Sequence, residues 1–325
     1  MVHTEVDRGD FTPSKGAYEA IFAAMEAASR WRSLVVETFP RQADLPRGLV
    51  KRGLQRCSNA TMSRLRTFKI KRACETSPLL DGLLRILGTT ASAELTTVEI
   101  NSANVISFLI PAYSSIFRSI KVLCLDTPRI RNQIDLLSHL HQLETFTASH
   151  LPLPIYPPEI NLSFVHTLSH LKLRPVSVQW MTGRTFHALE SCTLTLPLHH
   201  HFLHMFGTTL PNCKFLTFEG YPLDALDGIS APRLTSLSVA CSGSYTARGN
   251  EQLAWLSSQV LGKSRLAPQM LHISIKATGQ AWIKALTFMS DLEELIIDVA
   301  KPSSLGAKID LSLTHCTTGP RKQIR

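Results

Sequence analysis

The feature that most constrains this chain is a spacing. In "HTLSHLKLRP", residues 166–175, Leu168, Leu171 and Leu173 follow the order apolar-x-x-apolar-x-apolar. The same order recurs at Leu65/Phe68/Ile70, Leu95/Val98/Ile100, Ile120/Leu123/Leu125 and Leu143/Phe146/Ala148. It continues at Leu189/Cys192/Leu194, Cys213/Leu216/Phe218, Leu234/Leu237/Val239, Met270/Ile273/Ile275 and Leu292/Leu295/Ile297, with Trp31/Leu34/Val36 as a first copy. Most first positions lie 21–25 residues apart, and the longer intervals read as loop insertions. One triplet could belong to any half-buried strand, whereas eleven near-periodic copies define a repeat architecture.

Side chains alternate faces along a strand, so the second and third apolar residues of each triplet point inward together and the residue between them points outward. Parallel stacking of such strands, about 4.8 Å apart, merges faces that no single repeat could bury into one apolar wall. Eleven strands predict an arc on the order of 50 Å long. At about 1.5–3 kcal/mol per fully buried large apolar side chain, the wall offsets much of the ordering entropy.

Between the triplets the chain must return over the convex side, and several connecting segments have helical periodicity. Residues 77–88 carry Leu79, Leu80, Leu83, Leu84 and Leu87 on one stripe closed by Gly88. Trp282, Ala285, Leu286 and Met289 form another stripe, as do Tyr18, Ile21, Phe22 and Met25. In "NEQLAWLSSQVLG", Asn250 reads as an N-cap and Gly262 as a stop. "LPLPIYPPEI", 151–160, is expected to be irregular, since prolines interrupt helices. The expected fold class is α/β: a solenoid with a parallel concave sheet and helices or irregular loops on its convex side. Residues 1–14 are expected to be a flexible N-terminus, 15–300 one solenoid of about eleven repeats, and 301–325 an aperiodic tail, disordered or incomplete.

The pattern resembles the leucine-rich repeat family over residues 15–300, although the Asn or Cys usual three positions past the third apolar residue is replaced by Ala73, Ala103, Pro128, Val176, Pro197 and Thr278. Irregular repeat length, "SRWRSLVVE" after an amphipathic helix, and "LEELIIDVAKPSSLG" resemble the repeat region of fungal F-box leucine-rich repeat proteins. That resemblance implies target recognition by the repeats. Residues 1–30 hold no Leu-Pro-x-Glu-like opening, so it implies a Skp-type adaptor only for a longer form carrying an F-box.

The 325 residues are 44% apolar, enough for a large core, and no run approaches the ~18 apolar residues of a membrane span. Seven cysteines without a Cys-x-x-Cys pair, several at apolar repeat positions, read as reduced buried thiols. No secretory signal is visible in the first sixteen residues, and a cytoplasmic or nuclear location is expected.

Leucine-rich repeat scaffolds usually bind on the concave face, and the column between the second and third apolar positions includes Lys69, Glu99, Thr147, Lys172, Thr193 and Thr217, flanked by His170 and Lys214. These eight residues are the candidate binding face for a protein ligand. A rival site is the basic segment 41–72, with Arg52, Arg56, Arg64, Arg66, Lys69, Lys71 and Arg72 against a single acid, Asp44; with the formal charge of +9 it suggests nucleic acid or an anionic surface. In "LPLHHHFLHMF", His200 and His204 have a helical i, i+4 spacing that can hold a divalent ion, yet no acid or cysteine completes a ligand set. "LGKS", 261–264, lacks the earlier glycine of a phosphate loop, because position 257 is Ser257. No catalytic residue, metal or cofactor is expected.

Overall fold

The computed structural model describes residues 15–36, 55, 62–70, 94–100, 118–126, 139–149, 163–174, 181–195, 207–220, 228–240, 246–257, 266, 268–275, 277–286, 292–298 and 308–311. The chain divides into two compact units, Met1–Leu153 with Pro158–Leu168, and Pro154–Pro157 with Ser169–Arg325. Both are built as a parallel-sheet solenoid with few helices among the described residues.

In the first unit, helix α1 (Lys15–Glu26) and a 3-10 turn (Ala28–Arg30) precede strands β1 (Ser33–Val36), β2 (Thr67–Ile70), β3 (Thr97–Ile100), β4 (Val122–Asp126) and β5 (Thr145–Ser149). The strands pair in chain order, all parallel, and the register sets Phe68, Val98, Leu123 and Phe146 side by side. Burial alternates along them, and the first residues of the triplets, Leu65, Leu95, Ile120 and Leu143, are buried as well. Phe146 meets Phe164, from the 3-10 turn Ser163–His166, edge to face with ring centroids 6.4 Å apart. Phe22 of α1 is buried, while the side chains of Tyr18, Ile21 and Met25 lie outside the described set.

The second unit holds β6 (His170–Arg174), β7 (Ser191–Thr195), β8 (Thr208–Thr209), β9 (Phe215–Glu219), β10 (Ile229–Ser230), β11 (Ser236–Ala240), β12 (Met270–Ser274), β13 (Glu294–Asp298) and β14 (Lys308–Leu311). Parallel pairing runs β6-β7-β9-β11-β12-β13, and β14, within the segment expected to be aperiodic, closes the row antiparallel to β13. All eleven triplets correspond to strands, with one correction. Leu271, not Met270, shares the register of Leu237, so the triplet of β12 is Pro268/Leu271/Ile273, with Pro268 and Ile273 buried. Met270 points outward and is 40% exposed. A proline filled the first apolar place, and the neighbouring methionine drew the sequence reading two residues off.

One joint recurs in both units. The carbonyl just before a strand accepts two successive N–H groups from the next repeat: Arg32 O from Arg66 and Thr67, and Lys121 O from Glu144 and Thr145. Lys214 O accepts from Thr235 and Ser236, and Gln269 O from Glu293 and Glu294. This satisfies backbone groups that the turn would otherwise leave unpaired. Polar side chains three residues before a strand add a second tie: Ser119 Oγ donates to Leu95 O, Thr167 Oγ1 to Leu143 O, and Asn212 Nδ2 to His187 O. Arg233 extends the last by donating to Asn212 Oδ1 at 2.9 Å.

In the second unit Gly183, Gly207 and Gly228, each eight residues ahead of its strand, adopt φ of 70°, 72° and 87°. Their left-handed turns lead into Thr185, β8 and β10, which form a narrow parallel ribbon. Thr208 is fully buried there, its hydroxyl donating to Met181 O at 2.9 Å.

The helical segments differ in detail. Helix α2 spans Thr246–Trp255, so Asn250 lies inside it and is not its N-cap. Its Oδ1 instead accepts the Thr278 N–H at 2.8 Å, and Thr278 Oγ1 accepts from Ala281 N–H, capping helix α3 (Gly279–Leu286). On α3 Trp282 is half-buried and Ala285 buried, whereas Ile283 is exposed. The stripe of 77–88, Met289, Gly262 and the proline-rich 151–160 lie outside the described residues. No helix among the described residues is long and apolar enough to cross a membrane.

Candidate functional site

Alternation along each strand decides which side chains reach solvent, and the in-register pairing aligns them in rows. In the first unit one row reads Val35, Lys69, Glu99, Cys124, Thr147. Lys69 Nζ lies 2.7 Å from Glu99 Oε2, so these two candidates are brought together and neutralise one another. Thr147 ends the row, half-buried.

The basic segment changes character in three dimensions. Arg64 is exposed. Arg66 pairs through Nε with Glu94 at 3.1 Å, and Lys69 with Glu99. Both carboxylates come from the following repeat, about thirty residues downstream, which a local charge count cannot see. Arg52, Arg56, Lys71 and Arg72 lie outside the described residues, as do His200, His204 and the "LGKS" segment.

The open face of the second unit has two complete rows. The first runs His170, Ser191, Phe215, Ser236, Met270, Glu294; the second runs Lys172, Thr193, Thr217, Ser238, His272, Ile296. The candidates His170, Lys172, Thr193 and Thr217 all stand on this face. Lys214 does not: it sits in the turn before β9, where Nζ reaches Glu190 at 3.5 Å. Lys121 and Glu144, 2.7 Å apart, make the same shoulder contact in the first unit.

Sequence reasoning missed the most apolar part of this face. Phe215 is 53% exposed and Met270 40%, with only Ser236 between them in the row. The signal was available for Phe215, because the alternation that turns Thr217 outward turns Phe215 outward too. For Met270 it was hidden by the shifted triplet, which also masked His272 as the occupant of the second row. Ser238 Oγ and His272 Nδ1 stand 3.4 Å apart across β11 and β12, a long cross-strand hydrogen bond. Nearby, Thr195 Oγ1 donates to Glu219 Oε2 at 3.0 Å.

Beneath this face lie two thiols with no exposed surface. Burial raises the Cys192 pKa well above the usual thiol value, with nearby Cys213 adding to the effect. Burial pushes Cys213 up to about 11, and its Sγ donates to Phe215 O at 3.4 Å. Both are protonated at neutral pH, and a protonated buried thiol is a poor nucleophile.

No protein-family model matches the chain, and no curated protein matches it in sequence. The functional reading therefore stands on the geometry of the faces.

Proposed function

We propose that this chain is an irregular leucine-rich-repeat-type scaffold that binds a protein partner on the concave, strand-borne face. The observation that carries the reading is the open face of the second unit, where Phe215 and Met270 sit exposed among short hydroxyl side chains. Aromatic and methionine side chains are enriched at protein-contact surfaces. Hydroxyl-bearing Thr193, Thr217 and Ser238 let a partner approach the backbone closely.

The test is recovery of bound proteins by the intact chain and by a face variant, Thr193→Arg with Thr217→Arg. The reading expects a specific set of proteins retained in moderate salt and lost by the variant. Recovery unaffected by the two arginines would refute concave-face binding. The resemblance to F-box repeat proteins extends the proposal to target recognition for ubiquitin transfer, which expects partner turnover to depend on a Skp-type adaptor joined through a longer form.

The alternative, an anionic-surface or nucleic-acid binder acting through 41–72, draws support from the chain's formal charge of +9. It expects binding of RNA, DNA or phosphoinositide that falls steeply between low and moderate salt. The ion pairs at Arg66 and Lys69 weigh against it.

A further inference from the structure

The outward side chains of β6 are all basic or imidazole: His170, Lys172 and Arg174. In the first unit the strand-borne Lys69 faces a carboxylate, but across the β6–β7 ladder His170 faces Ser191 and Lys172 faces Thr193. Among the described residues no carboxylate lies within ion-pair distance of these three side chains. The column is therefore a source of positive potential on a face whose next strand carries only Ser191, Thr193 and Thr195. Two strand steps from it, about 10 Å, stands Phe215; four steps, about 19 Å, stands Met270. A cationic strand near an apolar pair is a two-part surface.

Resting on the reading of this face as a protein-binding one, we infer that the partner docks through an acidic segment that also carries apolar side chains. Its carboxylates lie along His170, Lys172 and Arg174, and an aromatic or aliphatic side chain covers Phe215 and Met270. The hydroxyl strand between them offers hydrogen bonds and no charge, so it sets the separation. In an extended segment, 10 Å is about three residues. The acidic group and the first apolar residue should therefore stand about three positions apart. A single-stranded RNA would use the cationic column and stack a base on Phe215 but has no aliphatic group for Met270, which is why the surface favours an acidic peptide with apolar side chains.

The test is selection of a random 12-residue peptide library displayed on phage against the intact chain, followed by titration of the synthesised winners. The inference expects winners in which Asp or Glu stands about three positions from an aromatic or aliphatic residue. It further expects Lys172→Glu with Arg174→Glu to weaken them about tenfold or more, the scale of losing close charge pairs. Phe215→Ser should weaken them independently, while Lys284→Glu, a single charge reversal on α3, should leave them unchanged. Unfolding curves establish that each variant is folded. Winners that are basic or purely apolar, no winners at all, or acidic winners insensitive to both β6 substitutions would overturn the inference. So would a random-sequence single-stranded RNA that binds more tightly than every peptide and is lost on Lys172→Glu with Arg174→Glu. Each of these can occur while the retention experiment with Thr193→Arg and Thr217→Arg still succeeds, so the partner class and the face are judged separately.

Discussion

Cys124 and Cys192 show what the solenoid does to one residue type. Cys124 occupies the outward row between Glu99 and Thr147, half-buried, whereas Cys192 points into the core of its unit. Iodoacetamide at pH 8 should therefore label Cys124 in the native chain and spare Cys192 and Cys213, as read by peptide mass spectrometry. The same burial has a pH consequence. The thiol of Cys213 ionises near 9.0 in an unfolded chain and near 11 in the folded one. A raised thiol pKa means that the folded state holds its proton more tightly, so the contribution to stability is complete below about pH 9 and declines toward pH 11. The urea midpoint should fall over that window, and Cys213→Ala should reduce the fall. A midpoint flat from pH 8 to 11 would contradict this placement. Gly207 is a second residue-scale case: its φ of 72° suits glycine, and an added Cβ would meet Gly183 Cα at 3.6 Å, an ordinary contact. The cost of Gly207→Ala is therefore conformational, about 1–2 kcal/mol, with Gly207→Asn milder because asparagine tolerates the left-handed region. Equal losses for both variants in denaturant titrations would point to crowding instead.

At the scale of elements, the strands were legible because each buries the same two positions of a period-two pattern, and a triplet carries that pattern within six residues. The elements that escaped depend on contacts distant in sequence or on residue types with several uses. Asn250 looks like an N-cap, yet its amide serves a helix twenty-eight residues later, because α2 begins four residues before it. The ribbon of β8 and β10 has two-residue strands, too short for any periodicity, and its only local sign is the recurring glycine. The basic segment reads as a patch until Glu94 and Glu99 arrive from the next repeat. Asn250→Ala should cost about 1 kcal/mol, the scale of losing one exposed hydrogen bond plus the tie it provides. The loss should appear as faster amide exchange at the start of α3 rather than in β11. Phe218→Ala, at a side chain with no exposed surface in β9, should cost about 3–5 kcal/mol, because the neighbouring rungs hold the cavity open. A loss below about 1 kcal/mol would mean the wall is not continuous there.

At the scale of the whole molecule, each unit is one row of parallel strands whose order in space is their order along the chain, except that β8 and β10 step aside into their ribbon and β14 runs antiparallel to β13. Every surface assignment depends on this, since a strand shifted by one residue would turn Thr193 and Thr217 inward and Cys192 and Leu216 outward. The function was less legible than the fold because an open sheet face is written in the residues that the repeat leaves free to vary. At those positions, Phe215, Met270 and Lys172 among them, the period tells which way the side chain points but not which residue stands there or what it meets.

The most direct measurement is a pair of spin-label distances in the second unit, one between positions 191 and 270 and one between positions 195 and 274. In a parallel register both pairs span three strand spacings, about 14–15 Å between backbones, and the two distance distributions should coincide. Distributions separated by about 10 Å or more, or both shifted together to about 20 Å, would mean that β7 and β12 run in opposite senses or several residues out of register, and the in-register parallel solenoid would be refuted.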